Sequence, residues 1–299
     1  MTAEAYRTPD DRFEHLPGYA FEPHYLELDG LRMHYVDEGE AEAGPILFLH
    51  GEPTWSYLYR SMITGLAGAG RRIAPDLFGF GRSDKPTDRA FYTYDRHVAS
   101  ITSFVERLDL AGITLVVHDW GGPIGLRLAV EHPERVARLV VLNTDVFAVS
   151  DRWPTPGFLR WRAFAERAGL ALPAGFVVQG ASATELPPEV VAAYDAPFPT
   201  PDSKAGAAMF PLLVPVVAGD PGAEELLAVR ERLGAWNAPA LVCFGDADEV
   251  FTSDVAREVA GLIPTAGEPE MIPGAAHFLP EDRGEVLAER IRRFLAETA

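Results

Sequence analysis

Val116-Val117-His118-Asp119-Trp120-Gly121-Gly122 is the stretch whose reading decides the fold. It closes a short apolar run that reads as a strand and opens into a helical pattern. That is the setting of a nucleophile elbow, a sharp strand-to-helix turn that presents one reactive side chain at the end of a sheet. Against the G-x-S-x-G form of the turn, Val117 stands at the first glycine, Gly121 keeps the last, and Asp119 takes the place of serine. A carboxylate nucleophile there points to attack on a saturated carbon rather than on a carbonyl. The competing reading of Asp119 is a helix N-cap, because aspartate is favoured there and Gly121-Gly122-Pro123 begins a helix.

Working outward, four continuous apolar runs, Ile46–Leu49, Leu115–Val117, Leu139–Leu142 and Ala240–Phe244, suit strands buried on both faces of a parallel sheet. Helical spacing recurs at Val98, Ile101, Val105 and Leu108, and again at Leu287, Ile291, Phe294 and Leu295. The alternation predicts an α/β fold with a mostly parallel, doubly wound sheet. Ahead of it, Asp29-Gly30 between two alternating segments predicts a two-residue hairpin and an antiparallel start. The rhythm breaks between about Ala148 and Leu233, where eleven of the 25 prolines fall between Pro154 and Pro221. Short helical patterns persist there, at Leu159–Arg167 and Glu224–Leu233. The expected organisation is a core of residues 1–147 and 234–299 with an inserted helical cap at 148–233.

The 26 Lys and Arg against 44 Asp and Glu give a net charge of -18, which disfavours nucleic acid and anionic membranes as partners. The single Cys243 excludes an internal disulfide and fits a reducing compartment, and no apolar run reaches membrane-span length. With neither a basic nor an apolar N-terminal segment, the expectation is a cytoplasmic protein. No metal site is expected from one cysteine and scattered histidines, and nothing in the sequence sets an oligomeric state.

Asp119 has company in the order this fold class requires. His277 is the one histidine beyond His132, in a loop between a predicted strand and the last predicted helix, where the base of such a fold comes last. Its other reading is a core histidine. The orienting acid is expected after the preceding strand, in Phe244-Gly245-Asp246-Ala247-Asp248: Asp248 is the candidate, Asp246 reads as a turn former, and Asp145 is the outside alternative. Two backbone N–H groups, of Trp120 and of Glu52 in His50-Gly51-Glu52-Pro53, are expected to form an oxyanion hole.

An aspartate nucleophile can open an epoxide or displace a halide. An epoxide leaves as a strongly basic alkoxide that needs a proton donor, whereas a halide needs only N–H groups to stabilise its charge. Epoxide hydrolases of this fold use two cap tyrosines, and the cap here has Tyr194 alone. It does hold two tryptophans, Trp153 and Trp161, and indole is a donor-only group with an apolar body.

The chain thus resembles the haloalkane dehalogenases of the α/β-hydrolase superfamily, in the subfamily with an Asp-His-Asp triad and two halide-binding tryptophans. The residues that carry the resemblance are His50-Gly51-Glu52-Pro53-Thr54-Trp55-Ser56-Tyr57-Leu58-Tyr59-Arg60, His118-Asp119-Trp120-Gly121-Gly122, Phe158-Leu159-Arg160-Trp161 and Ala193-Tyr194-Asp195-Ala196-Pro197-Phe198-Pro199. The resemblance implies Asp119 as nucleophile, His277 as base, Asp248 as acid, and Trp120 and Trp161 as halide donors. It implies no cofactor, a small apolar halogenated substrate, and alcohol and halide as products. Trp153 is the fallback for Trp161, whose other reading is cap packing. Another branch of the family has an asparagine donor where Glu52 stands; an ionised Glu52 can only accept, so the second donor is expected from Trp161. Glu52 is expected to help position the hydrolytic water, its alternative being an ordinary loop carboxylate. Phe80, Phe147, Phe158, Phe164, Leu212 and Val216 are the expected pocket lining. An epoxide hydrolase with the same Asp119 is the runner-up, and a non-catalytic ligand-binding protein of this fold the remote alternative.

Overall fold

The computed structural model describes residues 4–40, 44–150 and 153–299. Among these residues ten strands form: β1 (Ala5–Tyr6), β2 (His24–Leu28), β3 (Leu31–Glu38), β4 (Ile46–Leu49), β5 (Arg72–Pro75), β6 (Lys85–Pro86), β7 (Ile113–His118), β8 (Val136–Leu142), β9 (Ala240–Gly245) and β10 (Glu270–Ile272). Eight of them make one sheet in the order β2-β3-β5-β4-β7-β8-β9-β10, and β1 pairs separately with β6. Every pairing from β5 to β10 is parallel, while β3 runs antiparallel to both β2 and β5. The expected hairpin is β2–β3, turned by Asp29 and Gly30 with φ of 53° and 78°, the paired positive values a two-residue turn demands.

Side chains of β4, β7 and β9 are buried throughout, which is why their sequences are apolar without alternation. Register aligns their carboxyl ends: Leu49 pairs with Val117, His118 with Leu142, and Leu142 with Cys243. The loops leaving those ends therefore meet at one place, the usual ligand crevice of an open α/β sheet.

Two groups of helices flank the sheet. Arg60–Gly65 packs on Leu279–Glu297, and Tyr94–Arg107 packs on Gly121–Glu131. Four helices follow β8, at Pro156–Ala168, Ala174–Gly180, Pro188–Asp195 and Ala205–Leu213, and they pair among themselves, first with fourth and second with third. Their shortness matches the proline density, with Pro156 and Pro188 in first turns, where the missing N–H has no helical partner to lose. Ala223–Leu233, which falls inside the expected cap, packs on the helices Gly121–Glu131 and Ser253–Leu262, burying Leu226, Val229 and Leu233. No helix among the described residues is long and apolar enough to cross a membrane.

The motifs noted in the sequence meet between residues 55–60 and the helix Pro188–Asp195. Trp55 Nε1 donates to Ala193 O at 3.3 Å, Tyr57 lies edge-on to Tyr194, and Arg60 grips Glu281 with two hydrogen bonds of 2.7 and 2.6 Å. Tyr194 donates to the same Glu281 at 2.5 Å.

Candidate active site

Asp119 follows β7 with φ of 49°, a left-handed conformation that costs a non-glycine residue about 1–2 kcal/mol. Its backbone is fastened on both sides: its N–H donates to Asn143 O at 3.1 Å, and its carbonyl accepts from Gly122 N at 2.8 Å and Thr144 Oγ1 at 2.6 Å. The turn closes only because its neighbours lack side chains. A Cβ on Gly51 would lie 2.1 Å from Asp119 Oδ1, and one on Gly121 would lie 1.9 Å from Leu49 O. The Asp119 side chain does not cap the following helix, which has no side-chain cap at all. Instead Oδ1 accepts from Glu52 N at 2.8 Å, and the Trp120 N–H also bonds the carboxylate. The two N–H groups expected to form an oxyanion hole thus converge on this carboxylate.

His277 Nε2 stands 3.8 Å from Asp119 Oδ2, and His277 Nδ1 donates to Asp248 Oδ2 at 3.2 Å. The other Asp248 oxygen accepts from Val250 N at 2.7 Å and Phe251 N at 3.0 Å, so this carboxylate is fixed in aim. The alternatives lie elsewhere. Asp246 accepts from Gly274 N at 2.9 Å across a turn, and Asp145 accepts from Val146 N at 2.7 Å.

Electrostatics follow from burial. Burial pushes the Asp119 carboxyl up, against the pull of His277 and the two N–H groups. Burial pulls His277 down, but the charge and hydrogen bond of Asp248, with the charge of Asp119, outweigh it and leave the imidazole above its ordinary value. Glu52 departs from expectation. It is 4% exposed, neither of its carboxyl oxygens has a hydrogen-bond partner, and burial with the charge of Asp119 lifts it well above the usual carboxylate range. Burial and the nearby Asp119 charge thus work against the ionised form from which Glu52 was expected only to accept.

The site opens on a cavity lined by Asp119, Trp120, Glu52 and His277 below and by Phe158, Trp161, Val177, Ala181, Pro211 and Val214 of the cap segment above. It is small: the centre of a water-sized sphere ranges over about 80 Å³ of it. Trp120 and Trp161 both face it, whereas Trp153 is stacked against Phe147 and Phe251 and its buried indole N–H has no partner. Of the expected lining, Phe147 and Phe158 reach the cavity. Phe80 is buried against His50 and Phe210, Phe164 packs on Trp161, and Pro211 and Val214 take the places expected for Leu212 and Val216. Val250, Phe251 and Phe278 complete the wall. Tyr194 is absent from it, its hydroxyl being spent on Glu281.

Sequence reading passed over the residues that hold His277. Asn143 Nδ2 donates to Ala276 O at 2.7 Å and His277 O at 3.0 Å, and its Oδ1 accepts from Gly245 N at 2.7 Å. His118 Nε2 donates to His277 O at 2.8 Å, and burial, with the charge of His277, holds this imidazole down to about 3, hence neutral. A polar residue directly after the apolar β8 was the available signal for Asn143.

A family model described as the alpha/beta hydrolase fold matches residues 44–283. Haloalkane dehalogenase of Mycobacterium marinum is 49% identical over 291 residues, covering 95% of this chain and 97% of that one. Haloalkane dehalogenase 1 of Mycobacterium tuberculosis is 50% identical over 291 residues, covering 95% and 96%. Among solved structures, the tetrameric haloalkane dehalogenase DpaA of Paraglaciecola agarilytica superposes with a TM-score of 0.90 at 36% identity, covering 96% of this chain and 97% of that one. DatA of Agrobacterium tumefaciens, another haloalkane dehalogenase, gives 0.82 at 27% identity, covering 97% and 100%.

Proposed function

We propose a mechanism that starts from one fact: this chain belongs to the haloalkane dehalogenases, within the alpha/beta hydrolase fold. It is a hydrolase acting on carbon–halogen bonds. In our reading Asp119 Oδ2 attacks the halogen-bearing carbon, the carbon–halogen bond breaks, and the indole N–H groups of Trp120 and Trp161 receive the halide. The ester left on Asp119 is hydrolysed by a water that His277 Nε2 deprotonates and that attacks the aspartate carbonyl carbon. Charge then develops on Oδ1, where the Glu52 N–H already points, with the Trp120 N–H bonded to the same carboxylate. Collapse expels the alkoxide, which leaves protonated as a primary alcohol, and the second proton of the water passes from His277 to solvent.

Esterification removes the Asp119 charge that helps hold His277 in its protonated form. Alkylation thereby turns the imidazole toward the neutral base that the second step needs. Asp248 orients that base. Glu52, lining the same cavity, helps position the hydrolytic water. The cap proper is taken as 148–222, because Ala223–Leu233 packs with the core. By the measure in which one water occupies roughly 10–15 Å³, the cavity takes a chain of only a few heavy atoms, so short haloalkanes are the expected substrates. A lone buried Cys243 is consistent with a cytoplasmic setting.

The observation that carries this reading is the division of Asp119: one oxygen on Glu52 N at 2.8 Å, the other facing His277 at 3.8 Å, beneath two tryptophans and no tyrosine. Its test is halide release from 1,2-dibromoethane and 1-bromobutane, with styrene oxide as the contrast. Halide release without epoxide opening is expected; the reverse outcome refutes the reading. In His277→Phe an alkyl adduct on Asp119 should accumulate, visible by intact mass.

A further inference from the structure

His277 is held from two directions. On the core side Asn143 and His118 bind its carbonyl. On the other side the backbone beside it is bound by a group that also binds the cap. Asp282 is 9% exposed and stands in the first turn of the final helix. Its Oδ2 accepts from Ala276 N at 2.9 Å and from Ala183 N at 2.9 Å, and its Oδ1 accepts from Thr184 N at 2.8 Å. Ala183 and Thr184 lie just beyond Ala181 of the cavity wall, separated by Ser182, and the Ala181 carbonyl accepts from Phe278 N at 3.4 Å. One carboxylate oxygen is therefore shared between the loop that carries the base and the segment that carries part of the cap. The preceding residue works alike: Glu281 binds Tyr194 of the cap helix Pro188–Asp195 and Arg60 of the core.

We infer that Asp282 is a positioning residue for the hydrolytic step: by holding Ala183 and Thr184 together with Ala276 on one carboxylate, it makes the placement of His277 depend on a seated cap. Alkylation uses Asp119 and the tryptophans but not His277, so Asp282 matters after the halide has been displaced. The device lets the ester be hydrolysed only while the cap covers it. This inference rests on the assignment of His277 as the base of the second step.

The test separates the two steps in Asp282→Ala and Asp282→Asn. In the alanine variant all three N–H groups lose their acceptor, and a displaced base slows hydrolysis by about 10- to 100-fold. Alkylation should hold within about threefold, because the groups it uses stay in place. The expected signature is a fall in kcat with kcat/KM unchanged, a matching fall in KM, and an Asp119 alkyl adduct in the steady state. Asparagine, placing its oxygen at the Oδ2 position, keeps the bonds to Ala276 and Ala183 and should restore most of the hydrolysis rate. Should the alanine variant fail to fold, the asparagine variant carries the test alone, with a smaller loss confined to the same step. Equal loss in both steps, or loss in kcat/KM alone, overturns the inference and leaves Asp282 a structural clamp. His277→Phe is the control: if it traps no adduct, the assignment of the base fails; if it does and Asp282→Ala does not, the inference about Asp282 alone fails.

Discussion

The core half of the cavity and the cap half are built by different means. On the core side the working groups are set by backbone: strand ends in register, two N–H groups on Asp119, a left-handed residue, and glycines where a Cβ would collide. On the cap side they are side chains, Phe158, Trp161, Val177 and Val214, on or beside short helices, and Glu281 and Asp282 tie down Tyr194, Ala183 and Thr184 of the same segment. Backbone geometry tolerates little change, because a displaced N–H or a collision leaves the reacting carboxylate misplaced. Side-chain walls tolerate exchange at a graded cost. On the mechanism proposed above, the core fixes the reaction, an ester made and broken on one aspartate, and the cap adjusts which leaving group and what size of substrate reach it.

The comparison breaks first at Asp119. Asp119→Ala should abolish halide release from 1,2-dibromoethane, by about 10⁴-fold or more, as losses of covalent nucleophiles do. Turnover within a hundredfold of the parent, in protein shown folded by circular dichroism, would mean that the core does not fix the reaction. The cap effect is smaller. Trp161→Phe removes one donor to an anion, a hydrogen bond worth about 1.5–3 kcal/mol, so halide affinity should fall roughly 10- to 100-fold. Trp153→Phe should change it by less than about twofold, since that indole is stacked away from the cavity wall. Halide titration followed by tryptophan fluorescence reads both, and a larger effect at Trp153 would move the donor within the cap.

That same asymmetry explains what was legible in the sequence. β4, β7 and β9 were readable as apolar runs because double burial removes alternation. The elbow was readable because its constraints are local: a strand, one reactive residue, then glycines that must pass close to Leu49 and Thr144. His277 and Asp248 followed from chain order, and the structure brings both to Asp119. Asn143 left only its polarity as a signal and Asp282 left none, because their partners are backbone groups, most of them far along the chain, which leave no mark in side-chain identity. The upward push on the Glu52 carboxyl was not readable, because it depends on burial beside Asp119, a property of the fold and not of the loop. Pro211 and Val214 face the cavity while Leu212 and Val216 do not: helix phase decides it at Pro211 and Leu212, the path of the chain beyond the helix decides it at Val214 and Val216, and composition alone sets neither.

The smallest effect on turnover is expected where core passes into cap, and there stability gives the reading. Asp145, just after β8, is 5% exposed, and burial pushes its carboxyl up to about 7; the Val146 N–H pulls it back, the Glu258 charge adds to the rise, and Arg230 opposes it. Between about 3.9, the ordinary value, and about 7 the folded chain keeps a proton that the unfolded chain has released. The stability this proton supplies is complete below the lower limit and is lost as pH rises to the upper one, at up to about 1.4 kcal/mol per pH unit. His97 and His118 tilt the other way, since burial holds both down to about 3 and the unfolded chain takes their protons first as pH falls. Asp145→Asn leaves those histidines untouched and keeps an acceptor for Val146 N, so the difference between variant and parent isolates Asp145. Urea unfolding at pH 5 and pH 8 should show the asparagine variant gaining on the parent at the higher pH, while halide release changes less than about twofold. A constant stability difference across that interval would mean that Asp145 titrates as an exposed carboxylate, and that the junction is open to water. A fall in turnover without a change in stability would instead place Asp145 in the reaction and move the boundary between fixed core and adjustable cap.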